Sequence, residues 1–371
     1  MDFALNDDRR MLAETLGRFL QENYAIDRRH EFARSDAGFS REMWTRFAEL
    51  GVIGALFGED AGGFGGQGDD LMVVFQALGR HLVVEPFMPT LLAGSLISEI
   101  GTPLQKETLA GVIEGKTLIA FAHGEPQARY EIEDVATWAV AEGGSHTISG
   151  QKSVVLGGAS ADLLVVSART SGPETGHEGI SLFLVDPRSG GVEIRGYSTV
   201  DGYSAAEIRF ENARGEALGS PGTAFPAIEK AHALAIVAII AECLGAMERA
   251  RDLTVEFMHT RKQFGVVIGK FQALQHRMAD VLIEIEQLRS SLINAAGHLN
   301  AGRNIREKMV SAAKNLAGRA GRQVAEEAIQ IHGGMGMTWE YPVGHFAKRI
   351  VMIDHLFGDA DHHLERFIAF S

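Results

Sequence analysis

The 371 residues suffice for two or three domains, and a composition of 46% apolar and 22% charged residues is that of a globular chain. A formal net charge of -13 argues against nucleic acid or an anionic membrane as the main partner. Cys243 is the only cysteine, which excludes an internal disulfide and any Cys-rich metal site; beside Ala241, Leu244 and Ala246 it reads as a small buried apolar residue.

The start, Met1-Asp2-Phe3, lacks the basic stretch and apolar run of a secretory signal. The longest apolar run, near Ala233 to Ala241, is too short to span a bilayer, so a cytoplasmic location with no membrane partner is expected. Asn6 is placed to cap a first helix, with Asp7 and Asp8 at its positive end and Met11, Leu12, Leu16, Phe19 and Leu20 at helical spacing. Ser40 caps a second helix with Met43, Trp44, Phe47 and Leu50 on one face, stopped by Gly51. The glycine-rich run from Gly58 to Gly68 lacks Gly-x-Gly-x-x-Gly between a strand and a helix and reads as a turn. Helical pattern resumes over Asp70 to His81 and Pro89 to Gly115. Short β-rich runs then follow, clearest at Leu163 to Ser167, Ile180 to Val185 and Ala206 to Phe210, and predict a β-barrel or sandwich. Beyond Pro226 the spacing predicts long helices near 227–260, 271–299, 305–331 and 342–371, enough for a four-helix bundle. The expected fold is therefore α+β and multidomain: an all-α domain over 1–116, a β domain over 117–225 and a helical bundle over 226–371.

Arg261-Lys262-Gln263-Phe264-Gly265 ends one long helix, and Phe271-Gln272-Ala273-Leu274-Gln275 begins the next. A fixed Arg, a ring and an amide around such a turn suit a diphosphate and an adenine, since Arg forks onto phosphate oxygens and a helix start offers unpaired N–H groups. By themselves these residues read more readily as a helical hairpin with one exposed Arg. Further on stands Gln330-Ile331-His332-Gly333-Gly334-Met335-Gly336-Met337, then Glu340-Tyr341-Pro342-Val343.

Together, in this order, the two stretches resemble the C-terminal signatures of the acyl-CoA dehydrogenase family, and the resemblance extends over nearly the whole chain. Within that family the run from Val343-Gly344-His345-Phe346 to Phe357-Gly358-Asp359-Ala360-Asp361-His362-His363 is similar to the small subunits of pimeloyl-CoA dehydrogenase and related two-gene enzymes. The resemblance implies FAD as cofactor, an acyl-CoA substrate that loses hydrogens from its α and β carbons, and an electron-transfer flavoprotein as acceptor. It implies cofactor contacts from Arg261, Gln263, Phe264, Ile268, Phe271, Gln272, Gln330, Gly333 and Gly334, reaching the ADP half of an FAD shared with a neighbouring subunit.

The ring-side residues depart from the family pattern. The usual base is a Glu fourteen residues after the Val of Tyr-Pro-Val, but here that position is Phe357, followed by Gly358. The alternative base position, on the helix before Arg261, is Ala235. The Thr expected before Glu125-Pro126 is Gly124, and after Gly150-Gln151-Lys152 the ring-stacking Trp and the later Thr are Val154 and Leu156. The resemblance to the two-gene enzymes thus implies a chain with no catalytic residue of its own, completing the FAD site of a catalytic large-subunit paralogue in a heterodimer or heterotetramer. Two alternatives stay open: a self-sufficient homo-oligomer with a relocated base, Asp354 or Glu242, and a non-catalytic acyl-CoA or partner-binding scaffold. Asp354, His355, Asp359, Asp361, His362 and His363 offer metal-ligand chemistry, but the adjacent His362 and His363 diverge on a helix, so no metal is expected.

Overall fold

The computed structural model describes residues 6–371. In chain order its helices are α1 (Asp7–Asn23), α2 (Ile26–Ala33), α3 (Arg41–Glu49), α4 (Gly68–His81), α5 (Phe87–Ile100), α6 (Pro103–Lys106) and α7 (Thr108–Ile113), then α8 (Phe225–Thr260), α9 (Gln272–Gly297), α10 (Arg303–His332), α11 (Val343–His355) and α12 (Ala360–Ala369). The strands are β1 (Ile119–Ala122), β2 (Trp138–Glu142), β3 (Ser145–Leu156), β4 (Leu163–Arg169), β5 (Ile180–Val185), β6 (Val192–Ser198) and β7 (Ser204–Leu218), with a small hairpin of β8 (Lys262–Gln263) and β9 (Val266–Val267). By contacts the chain forms two compact units, one of residues 30–67 and 84–235, the other of residues up to 29, 68–83 and 236–371.

In the first unit, β2 pairs with β3, β3 with β7, β7 with β5 and β5 with β4, while Trp138 of β2 meets Arg169 of β4. The pairing closes on itself as a barrel, with β1 added along β4 and β6 along β7. Period-two alternation turns Ala206, Ile208 and Phe210 of β7 inward to meet Ile148, Val155, Val166 and Phe183. Trp44 and Phe47 of α3 meet Phe87 of α5 edge-on at 5.0 and 5.1 Å. Ser40 caps α3 as expected, accepting from the Met43 amide, although α2 precedes it and the sequence pattern does not reveal α2.

The second unit is helical. Asn6 caps α1 by accepting from Arg9 N at 2.9 Å. α10 buries Ala313, Ala317, Ala320, Gly321, Val324 and Ala328, a small-residue stripe that lets neighbouring helices come close. Two glycines set the approach of α4 and α8: a Cβ on Gly79 would lie 2.0 Å from the Glu242 carbonyl oxygen, and one on Gly245 would lie 2.0 Å from that of Gln76. Backbone cannot yield as a flexible side chain does. Gly79→Ala is therefore expected to destabilise the fold by about 1–3 kcal/mol despite its better helix propensity, read as a lower urea midpoint. A midpoint at or above wild type would show that the helices part freely.

Two expectations need correction. The helix expected over 342–371 is broken into α11 and α12, because Phe357 and Gly358 both take left-handed conformations (φ 59° and 103°). α8 is long and apolar enough to cross a membrane, contrary to the shorter span anticipated, but 89% of its apolar window is buried inside the protein. It is a core helix whose apolarity serves packing on all sides.

Candidate functional site

α8 ends at Thr260, and the chain turns at once into the β8–β9 hairpin. Its two turn residues, Phe264 (φ 52°) and Gly265 (φ 81°), are both left-handed, as a two-residue hairpin turn requires. The sequence suggested only a turn here, since two-residue strands are too short to show alternation. The left-handed conformation costs a Phe roughly 1–2 kcal/mol, and its ring is 91% exposed at the tip, 6.3 Å from Phe271. Ile268 is buried and donates its amide to the Arg261 carbonyl at 2.8 Å, which anchors the hairpin base. Phe271 is the N-cap residue of α9, and Gln272 opens that helix exposed. Gln263 and Arg261 are exposed as well.

Gln330 lies exposed in the last turn of α10. Gly333 follows at φ 60° and ψ -140°, a region open essentially to glycine alone. Nothing lies within 4 Å of a Cβ built on Gly333 or Gly334, so another molecule has unhindered access to this backbone. A cleft of ≈ 570 Å³ joins the two signatures: Arg261 and Phe257 of the first share its wall with Met335 and Tyr341 of the second. Gln330, Gly333, Gly334 and Phe264 are not among its lining residues. Sequence reasoning missed Arg249 in this cleft. The available signal was helical spacing, since 249, 253, 256, 257 and 260 share one face of α8.

At the two positions where the sequence analysis looked for a base, the Ala235 side chain is fully buried and Phe357 is half-buried on its left-handed turn. That turn is firmly held. Lys314, fully buried, donates to the carbonyls of Asp354 (2.9 Å) and Gly358 (2.6 Å), and His363 Nε2 lies 2.8 Å from the Phe357 carbonyl. The two proposed substitute carboxylates are engaged elsewhere. Glu242 meets Arg349 in a buried fork (Nε–Oε1 2.6 Å, Nη2–Oε2 2.9 Å), and Asp354 accepts from the Ala360 amide at 3.1 Å. Asp359 caps α12, and His363 Nδ1 lies 3.2 Å from Ser311 Oγ.

Burial pushes Lys314 down to about 8, against the pull of Asp354. The unfolded chain then holds this proton up to about pH 10.5 while the folded chain releases it near 8. The Lys314 contribution to stability should therefore rise between pH 8 and 10.5, by roughly 1 kcal/mol per pH unit, and stay level below pH 8. Denaturation of wild type and Lys314→Met across pH 7–10.5 checks this. Parallel profiles would refute it.

In the barrel unit, Ser153 N donates to the Gly124 carbonyl at 2.8 Å, so positions 124 and 154, which the sequence analysis expected beside the flavin ring, lie on neighbouring segments. The β3–β7 register slips between Lys152 and Val155, leaving Val154 half exposed at φ 52°, a strained conformation for a β-branched residue. Inside, Lys152 is fully buried and donates to Glu125 Oε1 (2.6 Å), Ser167 Oγ (2.9 Å) and the His123 carbonyl (3.0 Å). Ser167 Oγ also lies 2.9 Å from His123 Nδ1. Burial keeps His123 well below its usual range, and its ring sits between Phe121 (5.0 Å) and His232 (5.4 Å).

Three family profiles match in sequence order: the acyl-CoA dehydrogenase N-terminal domain over 6–116, the middle domain over 120–213 and the C-terminal domain over 204–369. The acryloyl-CoA reductase (NADH) of Anaerotignum propionicum is 30% identical, over 92% of this chain and 89% of its own. Butyryl-CoA dehydrogenase from Megasphaera elsdenii superposes with a TM-score of 0.91 at 26% identity, covering 100% of this chain and 99% of that one. A chain of the ChsE4–ChsE5 complex from Mycobacterium tuberculosis superposes at 0.89 with 25% identity, covering 100% and 98%. The chain belongs to the acyl-CoA dehydrogenase family, FAD-dependent enzymes acting on the CH–CH group of acyl-CoA thioesters.

Proposed function

We propose that this chain is the small, flavin-completing subunit of a heteromeric acyl-CoA dehydrogenase, similar to that of pimeloyl-CoA dehydrogenase. A catalytic paralogue supplies the ring site, the base and the thioester pocket, and an electron-transfer flavoprotein takes the electrons. The reading rests on one asymmetry. An exposed Arg261, an exposed Phe264 and the open Gly333-Gly334 backbone stand ready on the ADP side, while Phe357 and Ala235 hold no carboxylate. Glu242 is committed to Arg349, which weighs against a relocated base there. The ChsE4–ChsE5 relative, named as a complex of two proteins, lends support to a paired arrangement.

The residues fit FAD at its ADP end. Arg261 would grip the diphosphate, Phe264 and Phe271 would pack on the cofactor, Gln263, Gln272 and Gln330 would hydrogen-bond it, and Gly333 and Gly334 would admit it closely; Ile268 would fix the hairpin that carries them. FAD, when bound, supplies the hydride acceptor. The functional divisions follow residues 1–116, 117–225 and 226–371. The test is to purify the chain alone and with large-subunit paralogues, then count FAD per chain and assay dehydrogenation. The expected result is flavin and activity only in the heteromer. A yellow homo-oligomer carrying one FAD per chain with full activity would reject the proposal.

A further inference from the structure

The turn after α10 (Gly333–Met337) carries two methionines, Met335 and Met337, on either side of Gly336. Among the described residues these and Met11 are the exposed methionines, while Met43, Met88, Met247, Met258 and Met278 are buried. A thioether must be reached before it can be oxidised, so exposure selects which sulfur reacts. Met335 is 43% exposed and Met337 77% exposed. Exposure by itself gives neither a role; their places differ. Met335 lines the ≈ 570 Å³ cleft that Arg249 and Arg261 also line, and Met337 does not.

That cleft holds donors without an acceptor. Neither the Arg249 nor the Arg261 guanidinium makes a side-chain hydrogen bond or ion pair among the described residues. Elsewhere in this unit Arg80, Arg289 and Arg349 each meet a carboxylate. Glu256 lines the cleft too but pairs with neither arginine. A thioether is a weak acceptor, so reduced Met335 does not compete for these N–H groups. Oxidation changes that. The sulfur lone pair attacks one oxygen of hydrogen peroxide, the S–O bond forms and the O–O bond breaks. The proton of the transferred oxygen passes to the leaving one, which departs as water; sulfur gives up two electrons and the peroxide takes them. The sulfoxide is polar and presents an acceptor oxygen.

We infer that Met335 is a peroxide-sensitive switch at the cofactor end of this chain: its sulfoxide oxygen takes the N–H groups of Arg261 away from the diphosphate, and flavin is released. This rests on the reading of Arg261 as a diphosphate ligand and adds the regulation of that site. The other polar groups of the cleft compete poorly. The Glu256 carboxylate has no proton to donate, and the Thr260 hydroxyl already donates to the Glu256 carbonyl at 3.0 Å. The Tyr341 hydroxyl is a neutral donor, weaker than a charged guanidinium. Of the two arginines, Arg261 is exposed and has room to turn toward the new oxygen, whereas Arg249 is half-buried.

The test exposes the flavin-bearing assembly of the full chain to dilute hydrogen peroxide. Flavin release on dilution is followed by fluorescence, and the oxygen gained at each methionine by peptide mass spectrometry. Wild type is expected to release flavin several-fold faster in proportion to the sulfoxide at Met335, and methionine sulfoxide reductase to reverse the change. Met335→Leu is expected to keep its own untreated rate through the same exposure, and Met337→Leu to stay as sensitive as wild type. Met335→Gln, which carries an amide oxygen permanently, is expected to release flavin several-fold faster than Met335→Leu with no peroxide added. Melting curves confirm that each variant is folded. A release rate unmoved by full oxidation of Met335, or Met335→Leu as sensitive as wild type, overturns the switch. So does a Met335 that stays reduced while Met337 is oxidised. Arg261→Ala tests the underlying reading separately. Flavin lost in that variant beside a peroxide-insensitive wild type removes the switch and leaves Arg261 as a cofactor ligand; flavin kept at the wild-type level removes both.

Discussion

Replacing Arg261 with alanine is expected to weaken FAD retention by the assembled heteromer by roughly ten- to a hundredfold, the ~1.5–3 kcal/mol of hydrogen bonds to a charged group. The side chain makes no hydrogen bond or ion pair among the described residues, so its removal leaves the fold intact and the whole effect falls on the ligand. Arg261→Lys should recover only part of the affinity, because an ammonium cannot form the planar fork. Phe264→Ala should add to the loss, since the tip gives up a 91% exposed ring that meets Phe271 edge-on at 6.3 Å. The measurement is flavin release on dilution, followed by fluorescence. Retention equal to wild type in both Arg261 variants would remove the cofactor role from this turn.

Arg349→Met is expected to destabilise the helical unit by about 3–5 kcal/mol, because it strands the Glu242 carboxylate in a buried position with its counter-charge gone. The pair is 4% and 5% exposed by side chain, with both oxygens of Glu242 bonded. The double change Glu242→Leu with Arg349→Met should return most of that loss, since two apolar side chains fill the volume without desolvating a charge. Urea unfolding of the single and double variants completes the cycle. A single variant within about 1 kcal/mol of wild type would mean that Glu242 finds water or another donor. The same cycle bears on activity: Glu242→Gln strands Arg349 and lowers stability, but under the proposed division of labour turnover per folded heteromer stays at the wild-type value.

Family, layer order and the principal helices were legible in the sequence because periodicity and ordered motifs are local properties. Leu16, Phe19 and Leu20 announce the face of α1, and the alternation of Ala206, Ile208 and Phe210 announces β7. Short elements were less visible: α2 has eight residues, and each strand of the hairpin bearing Phe264 has two. The break between α11 and α12 was hidden because Phe357 is not a residue type that signals a left-handed turn. Only the carbonyl grip of Lys314 and His363 explains it.

By itself the sequence determined the family and the residue identities at 357 and 235, which need no coordinates. Tertiary structure decided which charges are committed and which stand ready. Glu242 and Arg349 are 107 positions apart and neutralise each other, whereas Arg249 and Arg261 share a cleft with Tyr341 and make no hydrogen bond or ion pair among the described residues. Charge pairing across such separations depends on how helices pack, and no local pattern encodes it.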